Sequence, residues 1–423
     1  VDPQFTVRSD TMKFNTKTKV VNFLGPTLIA SDSSRIYCED GFYDTENNMA
    51  VFTKNAQFVR GQQQATAEKI TFNGERKEYV LEGNARFREN EKRATADIIR
   101  YDENTDQTFL IGNARYQDKT QNIVSNEIIY SAATESFVTS GRSRISDPPQ
   151  IIEADTINYA AETGIGTAIG NVIWRDTAED LTIKAQRANY NKATDYFRAT
   201  GGRPLLITVL DGDSLYLASD TLTAYRAENR TTGSGSVTDS LGVVLTDSTV
   251  VTSPDSSRIL IADNNVEVFK SNLQAVCDSL IYNTRDSVFT FYEAPIIWSD
   301  TSQFYADTIQ MTLKDNEIDR MFLFGNAFII NSPDEEFFNQ IKGNNITAFF
   351  KVGDVDRMDV QGNAESIYYA LDDDNKYLGC NKTESSSMLV YFGNNEVERI
   401  KFIREPKAIF APMRQADHTK LVG

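Results

Sequence analysis

Ala96-Asp97-Ile98-Ile99-Arg100-Tyr101, followed fifteen residues after its aspartate by Gly112-Asn113-Ala114, is the stretch on which the fold turns. Its pattern recurs along the chain. Upstream stand Ser9-Asp10-Thr11-Met12-Lys13-Phe14, Cys38-Glu39-Asp40-Gly41-Phe42-Tyr43 and Ala67-Glu68-Lys69-Ile70-Thr71-Phe72. Downstream stand Ser125-Asn126-Glu127-Ile128-Ile129-Tyr130 and Ala154-Asp155-Thr156-Ile157-Asn158-Tyr159. The acid or amide falls at 10, 39, 68, 97, 126 and 155, a constant step of 29. The partner motif follows as Gly25-Pro-Thr, Lys54-Asn-Ala, Gly83-Asn-Ala, Gly141-Arg-Ser and Gly170-Asn-Val. Further copies begin at Ala185-Gln186, Ser219-Asp220, Cys277-Asp278 and Ala306-Asp307, and Gly325-Asn-Ala and Gly362-Asn-Ala return after small insertions. A self-similarity of this period means a stacked array in which each unit buries its apolar face only against neighbours.

Each unit reads as strand, turn, strand, connection. Ile, Val, Tyr, Phe and Thr fill the strands, and turn-formers such as Asp102-Glu-Asn-Thr separate them. No segment keeps a helical period over three turns. The expected fold is all-β: an elongated β-jellyroll or β-solenoid of about 29-residue repeats, each unit giving one strand to each of two facing sheets with an apolar interior. Alternation along the strands sorts the inward residues. They are Ile70, Phe72, Leu81, Phe87, Ile99, Tyr101, Leu110, Tyr116, Ile128, Tyr130, Ile157, Tyr159, Val172, Trp174, Leu280, Tyr282 and Ile309. Trp298 is placed on an inward parity as well. The small residues near Gly83, Gly112 and Gly170 are expected to leave space between aromatic rows.

Composition excludes several functions. Sixty Asp+Glu against 43 Lys+Arg give a net charge of -17, which repels phosphate backbones, so no nucleic-acid partner is expected. The single histidine, His418, lies in the C-terminal tail and leaves no imidazole for acid–base chemistry or a multi-histidine metal site. Cys38, Cys277 and Cys380 have no paired spacing; Cys38 and Cys277 occupy the position filled elsewhere by Ala67, Ala96 and Ala154 and read as small buried residues. The acid column lacks the glycine-rich nonapeptide of calcium-binding rolls and is expected to stand at the rim, either solvated or bonding a neighbouring amide. No cofactor, metal or catalytic residue is called, and the chain is read as a non-enzyme. Apolar runs such as Pro204–Leu210 fall short of the roughly 18 residues that cross a bilayer. The chain opens in mid-pattern at Phe5-Thr-Val-Arg-Ser-Asp and reads as a mature or trimmed segment.

Residues 1–225 read as regular repeats, 226–260 as a degenerate repeat or irregular connection, 261–405 as further repeats and 406–423 as a tail. The interior admits two interpretations, a plain packed core or a shelter for a ligand.

Ala-Asp-x-Ile-x-Tyr followed by Gly-Asn-Ala-x-Phe/Tyr resembles the OstA-like domain of LptA and the N-terminal domain of LptD. Phe23-Leu-Gly-Pro-Thr, Ile36-Tyr-Cys-Glu-Asp-Gly-Phe-Tyr-Asp and Gln340-Ile-Lys-Gly are similar to the long OstA-like proteins. The pattern is lost at 226–257 and in an insertion at 331–343. The resemblance implies a periplasmic bridge associated with the outer-membrane transport machinery, which carries lipopolysaccharide and shelters lipid A acyl chains. Its partners would be other transport jellyrolls, among them the LptD N-terminal domain and inner-membrane transport components, joined end to end by strand pairing, with self-association also open. Two other readings stand beside it: a β-helical polysaccharide-active or adhesive surface protein, and a purely structural periplasmic spacer.

Overall fold

The computed structural model describes residues 6–226 and 258–418, apart from 32, 161, 179, 211, 300, 316, 333, 352, 353, 373, 375, 394, 395 and 417. Most of the expected irregular connection at 226–260 therefore lies outside the described residues. Every regular element among those described is a strand. The chain divides into two compact units, residues 1–193 and 194–423.

In the N-terminal unit the first strands are β1 (Thr6–Asn15), β2 (Val20–Ala30), β3 (Ser34–Asp44), β4 (Met49–Arg60), β5 (Gln63–Asn73), β6 (Glu78–Glu89), β7 (Lys92–Asp102), β8 (Gln107–Gln117) and β9 (Asn122–Ser131). Each pairs antiparallel with the next. Asx turns close several hairpins: Asn73 Oδ1 accepts from the Arg76 amide at 3.0 Å, and Asp102 Oδ1 from the Asn104 amide at 2.8 Å.

The repeat is built differently from the simple reading. From β5 to β8 a unit gives two strands of 11 or 12 residues, and each strand passes through both layers; at 136–160 the corresponding stretches are separate five-residue strands. The pairing breaks in mid-strand, between Thr66 and Lys69 on β5 and between Glu82 and Ala85 on β6. At that break Gly83 and Asn84 have φ of 80° and 47°. Two consecutive left-handed residues form a bulge that bends the strand without ending its ladder. The same pair recurs at Gly112-Asn113 and Gly170-Asn171. A row of corners results, with one layer on either side of it.

The two inner faces meet. The Phe58 and Tyr79 rings, from opposite sides of the corner, lie 6.5 Å apart, and Tyr116 lies 6.1 Å from Tyr130 and 5.0 Å from Phe137. The C-terminal unit repeats the plan with longer strands, such as Asp354–Leu371 and Tyr377–Gly393, paired antiparallel with a register break after Gln361. There Leu217, Val268 and Leu273 from one layer and Leu280, Phe289, Phe291 and Met311 from the other line a cavity of about 40 Å³. The interior of that unit is otherwise closely packed, as its fully buried Leu222, Leu280, Phe291, Ile297, Phe304 and Ile309 show.

Candidate functional site

The corner explains the acid column. Asn84 Nδ2 donates to Glu68 Oε1 at 2.8 Å, Asn113 Nδ2 to Asp97 Oδ2 at 3.0 Å and Asn171 Nδ2 to Asp155 Oδ2 at 2.8 Å. The C-terminal unit repeats the bond between Asn265 and Asp220 and between Asn326 and Asp307. Of the two expectations for these acids, solvated or bonding a neighbouring amide, the second is what the corner shows. A Cβ on Gly83 would stand 2.7 Å from Glu68 Oε2, and one on Gly112 2.3 Å from Asp97 Oδ2. At these two corners the missing Cβ leaves room for the carboxylate, whereas Lys54 and Asn264 take the same left-handed position beside the Asn55–Glu39 and Asn265–Asp220 bonds. The small residues beside these glycines leave no open space either, because Ala85, Ala114 and Val172 are buried at the corner itself. This corrects the sequence expectation. Small side chains there let the two strands approach where the chain bends.

Cross-strand register arranges the interior of the N-terminal unit in rows. Next to the corner, one layer carries Ala67, Ala85, Ala96 and Ala114, and the other carries Ile70, Leu81, Ile99, Leu110 and Ile128. All of these are buried. Farther out, at the lip of the second layer, Phe72, Tyr79, Tyr101 and Tyr130 stand half-buried. Phe72 and Tyr79 are 4.8 Å apart, Tyr79 and Tyr101 6.4 Å. The facing lip carries Phe58, Phe87 and Tyr116, and the first two are half-buried. Farther along the chain the lips close: Phe137, Tyr159 and Trp174 are buried, and Tyr159 stacks on Tyr190 at 5.6 Å.

Every inward residue named from the sequence except Trp298 lies on an inner face. Ile70, Leu81, Ile99, Leu110, Tyr116, Ile128, Ile157, Tyr159, Val172, Trp174, Leu280 and Ile309 are buried, and Phe72, Phe87, Tyr101, Tyr130 and Tyr282 are half-buried. Trp298 is a correction. It points outward, 37% exposed, and its Nε1 donates to Gln303 Oε1 at 3.2 Å, whereas the neighbouring Ile297 is buried. At this corner Glu293 and Ala294 take the left-handed positions that Gly-Asn pairs occupy elsewhere, so the motif that sets the parity is missing. The sequence reading also missed Ala65, Ala94, Ile123, Ile152 and Ile183. All five are buried and lie in the strand halves before the small residue at which the repeat was taken to start. The alternations Ala65-Thr66-Ala67 and Ala94-Thr95-Ala96 carry that signal.

Polar groups at the lips cap the rings. Tyr101 Oη donates to Asp106 Oδ1 at 2.9 Å, and burial together with this carboxylate pushes the Tyr101 pKa up to about 12. Burial pushes the Cys38 thiol up to about 11, as fits a small core residue in the alanine row. His418 stands outside the interior: its Nε2 donates to the Met413 carbonyl at 2.9 Å, and its Nδ1 lies 3.2 Å from the Tyr369 hydroxyl.

Comparison with known proteins adds the following. Residues 6–106 and 88–136 match the family model of the LptA/(LptD N-terminal domain) LPS transport protein, which bears out the resemblance read from the repeats over that part of the chain. Among solved structures, a similar one is LptH of Pseudomonas aeruginosa, described as the LptA-homologous periplasmic component of the conserved lipopolysaccharide transport device. It shares 13% identity, with 33% of this chain and 83% of that chain covered, at a TM-score of 0.22. No curated protein matches the chain.

Proposed function

We propose that this chain is a non-catalytic lipopolysaccharide-transport protein of the periplasm, and that its N-terminal unit shelters lipid A acyl chains between the two lips. The observation that carries this reading is the gradient across the inner face. A fully buried aliphatic and alanine row lies at the corner, and half-buried aromatic rings stand at the mouth. Acyl chains entering between the lips replace ring–ring contacts such as Phe58–Tyr79 with ring–methylene contacts, at a gain of roughly 0.8 kcal/mol per methylene removed from water. Corners tied by Asn–carboxylate bonds hold the layers together while the lips part. The match to the transport family at residues 6–136 falls on this same unit. Partner jellyrolls would join by strand pairing at an edge of the sheet.

Photo-crosslinking tests the reading directly. A crosslinker replacing the half-buried Tyr101 should give lipopolysaccharide adducts in cells. The same group at Arg100 should give none, since that side chain packs outward over the Phe109 ring at 3.8 Å and pairs with Glu78 at 3.1 Å. Adducts absent at both positions in folded, exported protein would sink it. The close-packed interior of the C-terminal unit, with its cavity of about 40 Å³, favours a second role for that unit, a structural spacer.

A further inference from the structure

The outer face of the N-terminal unit holds an unusual concentration of positive charge for a chain of net charge -17. Register places Thr66, Arg86, Thr95 and Arg115 in one outward row across β5 to β8, and Gln64, Arg88, Arg93 and Gln117 in the row beside it. Arg88 and Arg93 stand directly opposite each other on neighbouring strands. Like charges in that position are destabilising, so the fold gains nothing from holding them together. All four arginines are exposed, and among the described residues none makes an ion pair or side-chain hydrogen bond. They border an open hollow of about 620 Å³, whose lining also includes Gln64, Thr66 and Thr95.

The same row shows what a balanced arginine looks like here. Arg144 continues it beyond Val124. Its Nη1 lies 3.0 Å from Glu153 Oε1, which also takes Arg175 at 2.9 Å, while Glu153 Oε2 takes Arg142 at 3.1 Å. Arg86 and Arg115 repeat at the 29-residue period with Arg144, about 10 Å apart across two strands, yet form no such pair: Asp97, which lines the same hollow, takes the amide of Asn113 instead.

We propose that this face binds the phosphate groups of the sugar headgroup of a phosphorylated glycolipid, a reading that rests on the transport function above and extends it to the outer surface. Guanidinium forks match phosphate oxygens bidentately. The interleaved amides and threonine hydroxyls suit the hydroxyls of a sugar. A protein partner fits less well, because the apolar neighbours of these two rows, Val59 beside Gln64 and Val124 beside Arg115, stand singly at their ends and not at the centre, where the buried anchor of an interface belongs.

The test uses the full chain and a water-soluble, deacylated lipopolysaccharide oligosaccharide that keeps its phosphates. Titration calorimetry compares the natural chain with an R86Q/R88Q/R93Q/R115Q variant and with R144Q. The natural chain and R144Q should bind alike, the quadruple variant at least ten-fold more weakly, and added salt should weaken binding. Oligosaccharide stripped of phosphate should not bind. Equal binding by the quadruple variant, equal binding of the stripped sugar, or no binding by the natural chain overturns the proposal. So does sedimentation showing self-association that the quadruple variant abolishes, which would make the face a protein interface. The single R115Q variant guards against misfolding and should lose about half an order of magnitude in affinity. Crosslinking at Tyr101 in the quadruple variant separates the two readings. Adducts that persist there leave the lipid path standing if the outer face fails, and their loss in the natural chain strikes the path alone.

Discussion

Asn84 Nδ2 lies 2.8 Å from Glu68 Oε1, so a side chain in the left-handed region of β6 is bonded to the strand before it at the point where both bend. The bond and the backbone conformation reinforce one another. Asparagine tolerates the positive φ better than other side chains that branch at Cβ or carry bulk, and the carboxylate fixes where its amide points. Asn84→Ala should cost about 1–3 kcal/mol, from the lost charge-assisted bond and the strained alanine. Gly83→Ala should cost at least as much, because its Cβ meets the carboxylate as well. Urea midpoints for the two variants, with Asn84→Gly as the unstrained control, measure this; unchanged midpoints would remove the corner from the stability of the fold.

Gly166 makes room for a ring. A Cβ there would stand 2.0 Å from Tyr190 Cε1, in the layer where Tyr159 stacks on Tyr190. Gly166→Ala should destabilise by about 1–3 kcal/mol through overpacking. In the Gly166→Ala/Tyr190→Ala double variant the two losses should fall short of adding, by more than about 0.5 kcal/mol. Strict additivity in thermal unfolding would show that the ring yields without strain.

Acid should unfold the protein partly through Glu153. Burial works to raise its pKa, but the hydrogen bonds from Arg142 and Arg175 and the charge of Arg144 outweigh it and hold the pKa below the ordinary value of 4.5. The folded state therefore keeps this carboxylate ionised at a pH where the unfolded chain has begun to take up its proton. Stability from Glu153 is present above about pH 4.5 and is lost as pH falls through the lowered folded value. Glu153→Gln should flatten the stability–pH curve below that point. An identical acid limb in both proteins would assign the slope to other groups.

The thiols give a chemical test of the packing. Burial pushes Cys38 up to about 11 and Cys277 up to about 12. In native protein at pH 8 neither should react with an aromatic disulfide reagent within minutes, and both should react in urea. Cys38→Ala should change stability by less than about 1 kcal/mol, since alanine fills the same row at Ala67 and Ala96. Fast native labelling of Cys38 would mean that the alanine row opens.

Much of this architecture was legible because the repeat multiplies every signal. Ile70, Ile99, Ile128 and Ile157 sit at one step of 29 and on one buried face, so their inward direction could be read without coordinates. The corner was not legible. From the sequence the asparagine after each glycine reads as part of a hydrogen-bonded ladder or a bulge, and only the φ angles of Gly83-Asn84 and the bond to Glu68 show one strand bending through two layers. Trp298 was misplaced for the same reason: parity counts depend on where the bulge falls, and there the bulge is made by Glu293-Ala294 with no motif to announce it. The arginine face was present at 86, 115 and 144 all along. It meant nothing until Arg144 proved to have its carboxylate and the other two did not.

In the N-terminal unit a single covalent chain crosses from one layer to the other within β6, and again within β7 and β8. Two sheets joined only by loops could slip past each other. From β5 to β8 these cannot, because each of those strands is anchored in both at the same row of bends. For the function proposed above, the consequence is that the mouth would widen by a change of angle at that row, a coordinate shared by neighbouring units, so that a guest entering at one point would ease entry for the next.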